Sequence, residues 1–252
     1  MPRLLVTAPH SFCIPARRRH CDTVALSAVN HIREYTNGHD IKYHVSDRLR
    51  NEGDYNRPVT NNEPWRRELR ELAQTHKPEF VLEVHSFPGN HPTYIKKWDH
   101  ADIVIFESEY NIPFINKLIE RVHYHSNWAF KIKKGWPWHN VALTDDLAPL
   151  YKHTLFEFNE TGLDSDRKKL AHAIVDAAAD IIKLQNGEKI DMTKQYVRDI
   201  VKIICISALV IFVIIMIYFA LYAIDAYIYQ YLRRDLQNKQ SYRAHDNVYV
   251  SI

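Results

Sequence analysis

Apolar positions follow two periods along the first 185 residues. Short β-favouring runs fall at residues 3–7, 41–45, 80–84, 102–106 and 153–159, with 128–132 and 141–143 as weaker extended stretches. Between them, residues 24–35, 63–76, 112–124 and 164–184 repeat their apolar positions at helical spacing. Asp22-Thr23 offers a cap for the first of these helices, Asn37-Gly38 ends it, and Lys77-Pro78 stops the second. Pro88-Gly89 opens a loop expected to reach residue 100. Strands alternating with helices predict an α/β fold: a three-layer αβα arrangement on a mainly parallel, mixed sheet. The strand through Phe156-Glu157-Phe158 is expected near its centre, because its flanks are apolar.

The pattern changes at residues 203–224, which carry no charge until Asp225. About 20 apolar residues make one bilayer-spanning helix. Tyr218, Tyr222, Tyr227 and Tyr229 supply an interfacial belt on one side. The expected organisation is a catalytic domain at 1–185, a juxtamembrane linker at 186–202, the span at 203–224 and a polar tail at 225–252. The first residues, Met1-Pro2-Arg3-Leu4-Leu5-Val6, are too short an apolar stretch for a signal peptide. Tail-anchored insertion in a membrane, with a cytosolic globular part, is the expectation.

Composition narrows the classes of function. With 33 basic and 30 acidic residues the chain is too balanced to expect nucleic acid as a partner. Aromatic residues at 12% and only 6 glycines argue against disorder. Cys13, Cys21 and Cys205 suggest no disulfide framework, so a reducing compartment is expected. The sequon Asn159-Glu160-Thr161 would not be glycosylated there.

Chemistry gathers where β-like runs end. His10 follows the first strand, His85 ends the run Phe80-Val81-Leu82-Glu83-Val84, and Glu157 lies inside the last one. Ligands of open α/β sheets sit at the carboxyl ends of the strands. Asp22 adds an acid in the first loop, although it also suits a helix cap. Two His and one carboxylate can hold a catalytic zinc, and a separate carboxylate can serve as general base. Asn56-Arg57 can clamp a substrate carboxylate through forked hydrogen bonds. The bland alternatives are solvated loop arginines at Arg48 and Arg50, a structural Arg57–Asp54 pair, and a surface His123-x-His125. Trp136-Pro137-Trp138 either walls a pocket or covers core.

Five segments carry a family resemblance. They are Ala8-Pro9-His10-Ser11, His20-Cys21-Asp22, Gly53-Asp54-Tyr55-Asn56-Arg57-Pro58, Leu82-Glu83-Val84-His85-Ser86-Phe87-Pro88 and Leu155-Phe156-Glu157-Phe158-Asn159. In this order the chain resembles the N-formylglutamate amidohydrolases, a branch of the zinc-carboxypeptidase-like hydrolases. The resemblance implies one zinc ion on His10, Asp22 and His85, with Glu157 as general base. It implies Arg57 with Asn56 on the carboxylate of a small N-acyl amino acid or peptide-like substrate. It also implies that Asp54 orients a ligand His. The chain departs from the family pattern in having Glu83 where Asp is usual and Ser11-Phe12-Cys13 where Gly is usual. The spacing of Cys13 from His10 leaves Cys13 open beside Asp22 as the third ligand, with His20 a poorer choice. Glu160 is the nearby alternative to Glu157. The competing class is a membrane-tethered interaction module on a hydrolase scaffold.

Overall fold

The computed structural model describes residues 3–13, 21–37, 40–47, 63–135 and 146–246. Asp54, Asn56 and Arg57 lie outside them, as do His20, Arg48, Arg50, the Trp136–Trp138 segment and the stretch at 141–143. The chain divides into two compact units, Met1–Ile190 and Asp191–Ile252.

In the first unit, β1 (Leu4–Ala8), β2 (Ile41–Val45), β3 (Phe80–Phe87), β4 (Ile103–Phe106), β5 (Ile132–Gly135) and β6 (His153–Asn159) form one sheet, ordered β2-β1-β3-β6-β4-β5. Every neighbouring pair is parallel except β4 with β6. β6 therefore lies centrally, as its apolar flanks predict. Helices α1 (Ala25–Tyr35), α4 (Ile112–His125) and α5 (Asp164–Gln185) cover one face. There Leu4, Val6, Leu82, Val84, Phe156 and Phe158 meet the apolar stripes of those helices. Burying each such side chain contributes about 1.5–3 kcal/mol. Helices α2 (Glu63–His76) and α3 (Pro92–Trp98) pack on the opposite face, through Trp65, Leu69 and Ala73 and through Trp98.

Alternation along a strand sends successive side chains to opposite faces. In β3 it places Phe80, Leu82 and Val84 under α1, α4 and α5. Val81, Glu83, His85 and Phe87 then share the face of α2 and α3. In β6 the same parity places His153, Leu155 and Glu157 together. From β1 the chain crosses to β2 on one side, while β3 lies on the other. The carboxyl ends of β1 and β3 thus flank a topological switch point, the place where open α/β sheets hold ligands.

Two local expectations are corrected. Residues 88–100 are not all loop, because α3 forms with Pro92 in its first turn and the His91 ring accepting the Thr93 N–H. The expected strand at 128–132 begins only at Ile132. Asn127 and Trp128 adopt left-handed backbone angles after α4, which ends pairing there. Gly89 allows a close approach, since a Cβ at this position would run into the Asn159 side chain. That amide donates to the Ala101 carbonyl and accepts from Thr161, joining the end of β6 to the chain before β4.

Among the described residues of the second unit runs the long helix α6 (Thr193–Asp246). Within it Tyr196–Leu236 is long and apolar enough to cross a membrane, and none of its most apolar stretch is buried against protein. The helix continues past the uncharged run at both ends and absorbs much of the expected linker.

Candidate metal centre

The loop after β1 carries His10, and its backbone is fixed locally. The His10 carbonyl accepts the Asp22 N–H at 2.9 Å, and Ser11 donates its hydroxyl to the Ala8 carbonyl. Asp22 is thereby brought back over the end of β1. Its side chain does not cap α1, whose N-cap residue is Val24 with no side-chain cap bond. The carboxylate turns inward instead. Asp22 Oδ2 lies 2.8 Å from His85 Nδ1 and 3.6 Å from His10 Nδ1. The two imidazoles meet edge to face, with centroids 5.0 Å apart.

These three buried residues each offer one donor atom, and the atoms lie within 4.8 Å of one another. Donors on a tetrahedral zinc, at bonds of about 2.1 Å, stand roughly 3.4 Å apart. The 2.8 and 3.6 Å separations from Asp22 bracket that spacing. Nitrogen, oxygen and nitrogen also form a donor set that suits zinc. The group could therefore bind a metal.

The other face of His85 is held as firmly. Its Nε2 lies 2.9 Å from Glu83 Oε1, and Glu83 Oε2 lies 2.7 Å from His153 Nε2. Glu83 is completely buried and His153 nearly so. Burial alone would push His85 down, but the Asp22 and Glu83 carboxylates outweigh it and raise it to about 10. Burial likewise opposes ionisation of Glu83, yet the bonds to His153 and His85 bring it down to about 2. Asp22 is also held well below the ordinary range, its bonds to His10 and His85 outweighing burial. Without metal, His85 is thus an imidazolium between two carboxylates, and binding at Nδ1 would release its proton.

Glu157 stands directly across from His85 in the parallel register of β3 and β6. Neighbouring strands are about 4.8 Å apart. Glu157 is half-buried, while the three clustered donors are buried. It also acts on Lys97 of α3, opposing the lowering that burial imposes on that ammonium. Glu160 has a different role. Its Oε1 accepts the Ser86 hydroxyl at 2.8 Å and the Thr23 N–H at 3.1 Å, tying the Asp22 loop to the ends of β3 and β6.

One expectation about cysteine is overturned. Cys13 and Cys21 are joined in a disulfide, with Cα atoms 5.5 Å apart. Cys13 is therefore withdrawn as a ligand, and the expectation that the cysteines form no disulfide is corrected. Among the described residues Cys205, exposed on α6, is the free cysteine. Sequence reading also missed the parts of Glu83 and His153. The available signal was strand parity: Glu83 precedes His85 by two residues and His153 precedes Glu157 by four, so each pair shares a face.

No family model matches the chain, and no curated protein matches its sequence. Solved structures do match its fold. A gene product of Agrobacterium tumefaciens superposes with a TM-score of 0.56 at 12% identity, covering 73% of this chain and 92% of that one. The N-formylglutamate amidohydrolase of Ralstonia eutropha superposes with a TM-score of 0.53 at 14% identity, covering 71% and 94%. At these identities the likeness is one of fold.

Proposed function

We propose that this chain is a membrane-anchored, zinc-dependent hydrolase that cleaves an amide bond next to a substrate carboxylate. The observation that carries the reading is the buried His10–Asp22–His85 donor group with Glu157 one strand away on the same sheet face. The amidohydrolase motifs in the sequence and the matching fold support it. Zinc held by the three residues would supply a Lewis acid that polarises the scissile carbonyl and acidifies water. Glu157 takes a proton from the attacking water and returns it to the leaving nitrogen. Arg57 and Asn56 bind the substrate carboxylate by forked hydrogen bonds, and Asp54 orients a ligand His. The substrate class is a small N-acyl amino acid or peptide-like amide.

The test is hydrolysis by the full chain in detergent, offered a panel of N-formyl and N-acetyl amino acids and short peptides. Release of free amine, lost with a zinc chelator and restored by zinc, is the expected result. A zinc-loaded chain inert across the panel would overturn the assigned reaction.

Residues 203–224 provide the anchor. The disulfide favours an oxidising compartment for the globular unit over the cytosolic placement expected from the sequence. Alkylating thiols in freshly lysed cells, before any reduction, should leave Cys13 and Cys21 unmodified. Their full modification would return the unit to a reducing compartment.

A further inference from the structure

We propose that His153 is a positioning residue for the metal ligand His85, acting through the carboxylate of Glu83. This rests on the reading that His10, Asp22 and His85 hold the metal. Glu83 has no exposed surface, and its two oxygens are divided between two imidazoles: Oε1 to His85 Nε2 at 2.9 Å and Oε2 to His153 Nε2 at 2.7 Å. The arrangement follows from register. Val81 pairs with His153, Glu83 with Leu155 and His85 with Glu157. Glu83 therefore has an apolar residue directly opposite and reaches diagonally to His153, one step toward the start of β6. A buried carboxylate in that setting needs a donor on each oxygen.

The consequence falls on His85. A metal ligand His is oriented by what its second ring nitrogen donates to, and that partner fixes tautomer and ring plane. The His153 N–H holds Oε2 and so fixes the plane of the carboxylate. With that plane set, Oε1 points at His85 Nε2, the His85 proton stays on Nε2, and Nδ1 faces Asp22 and the metal. His153 touches neither metal nor substrate. Removing its N–H frees the carboxylate to rotate and leaves the ring of His85 less well aimed.

The test uses the full chain in detergent, stripped of metal and titrated with Co2+ and Zn2+. His153→Phe removes the donor, whereas His153→Gln keeps an amide N–H at the reach of Nε2. His153→Phe should weaken metal binding about 10- to 100-fold and shift the visible absorption of bound Co2+. His153→Gln should bind within a few-fold of wild type with the wild-type spectrum. Circular dichroism of the metal-free proteins checks that each is folded. Should His153→Phe not fold, His153→Asn replaces it, because its shorter amide does not reach Glu83. Wild-type affinity and spectrum in the donor-less variant would overturn the proposal. Wild-type protein that binds neither ion would overturn the metal reading itself, and this proposal with it.

Discussion

Glu157→Gln is expected to lower turnover by about 10^2- to 10^4-fold, the range of a lost general base, while leaving the bound metal in place. Glutamine has the shape of glutamate and keeps a hydrogen-bonding head group, so β6 should pair with β3 and β4 as before. What it lacks is a site for the proton. Glu157 faces the same side of the sheet as His85 but is not among the three clustered donors. Its loss should therefore appear in kcat and not in metal content. Glu160, the other acid near the end of β6, is occupied by Ser86 and Thr23 and ties down the Asp22 loop. Steady-state kinetics on a cleaved amide, with elemental analysis of the same preparation, checks both halves. Retained turnover would remove Glu157 from the chemistry.

His85→Ala is expected to lose the metal and to weaken the fold as well. His85 stands between two buried carboxylates, Asp22 on Nδ1 and Glu83 on Nε2. Its removal takes one of three donors and leaves two buried acids without their shared partner. Breaking a buried charged pair by deleting one member costs about 3–5 kcal/mol. A thermal melt of the metal-free variant should therefore start well below wild type. Metal titration should show no saturation at concentrations that fill the wild-type site. A variant that binds zinc as tightly as wild type would exclude His85 from the ligand set.

Much of the fold is legible in the hydrophobic pattern, because each strand of this sheet is a short apolar run and each long helix has an apolar stripe. Residues 153–159 declare themselves in this way, with a carboxylate embedded between Phe156 and Phe158. The seven residues of α3 do not. A helix that short shows no full apolar period, and Pro88-Gly89 in front of it reads as loop. Trp128 is apolar and β-favouring, yet the left-handed turn at Asn127 and Trp128 prevents it from pairing. Asp22 is legible as an acid with two possible uses, and only the path of the chain after β1 separates them. The hydrogen bond from its N–H to the His10 carbonyl turns its side chain toward the imidazoles and away from the helix end. The Cys13–Cys21 bond is invisible to spacing, since it depends on where the loop between β1 and α1 returns. Glu83 is legible as part of a motif, but its pairing with His153 is not, because only the register of β3 with β6 brings the two together.

The proposed chemistry depends on the metal. The decisive measurement is the elemental content of the full chain, purified in detergent without added metal or chelator, beside His85→Ala prepared identically. Close to one zinc per chain in wild type, and none in the variant, is the predicted result. Wild-type protein that is folded and carries no metal, even after zinc is supplied, would contradict it.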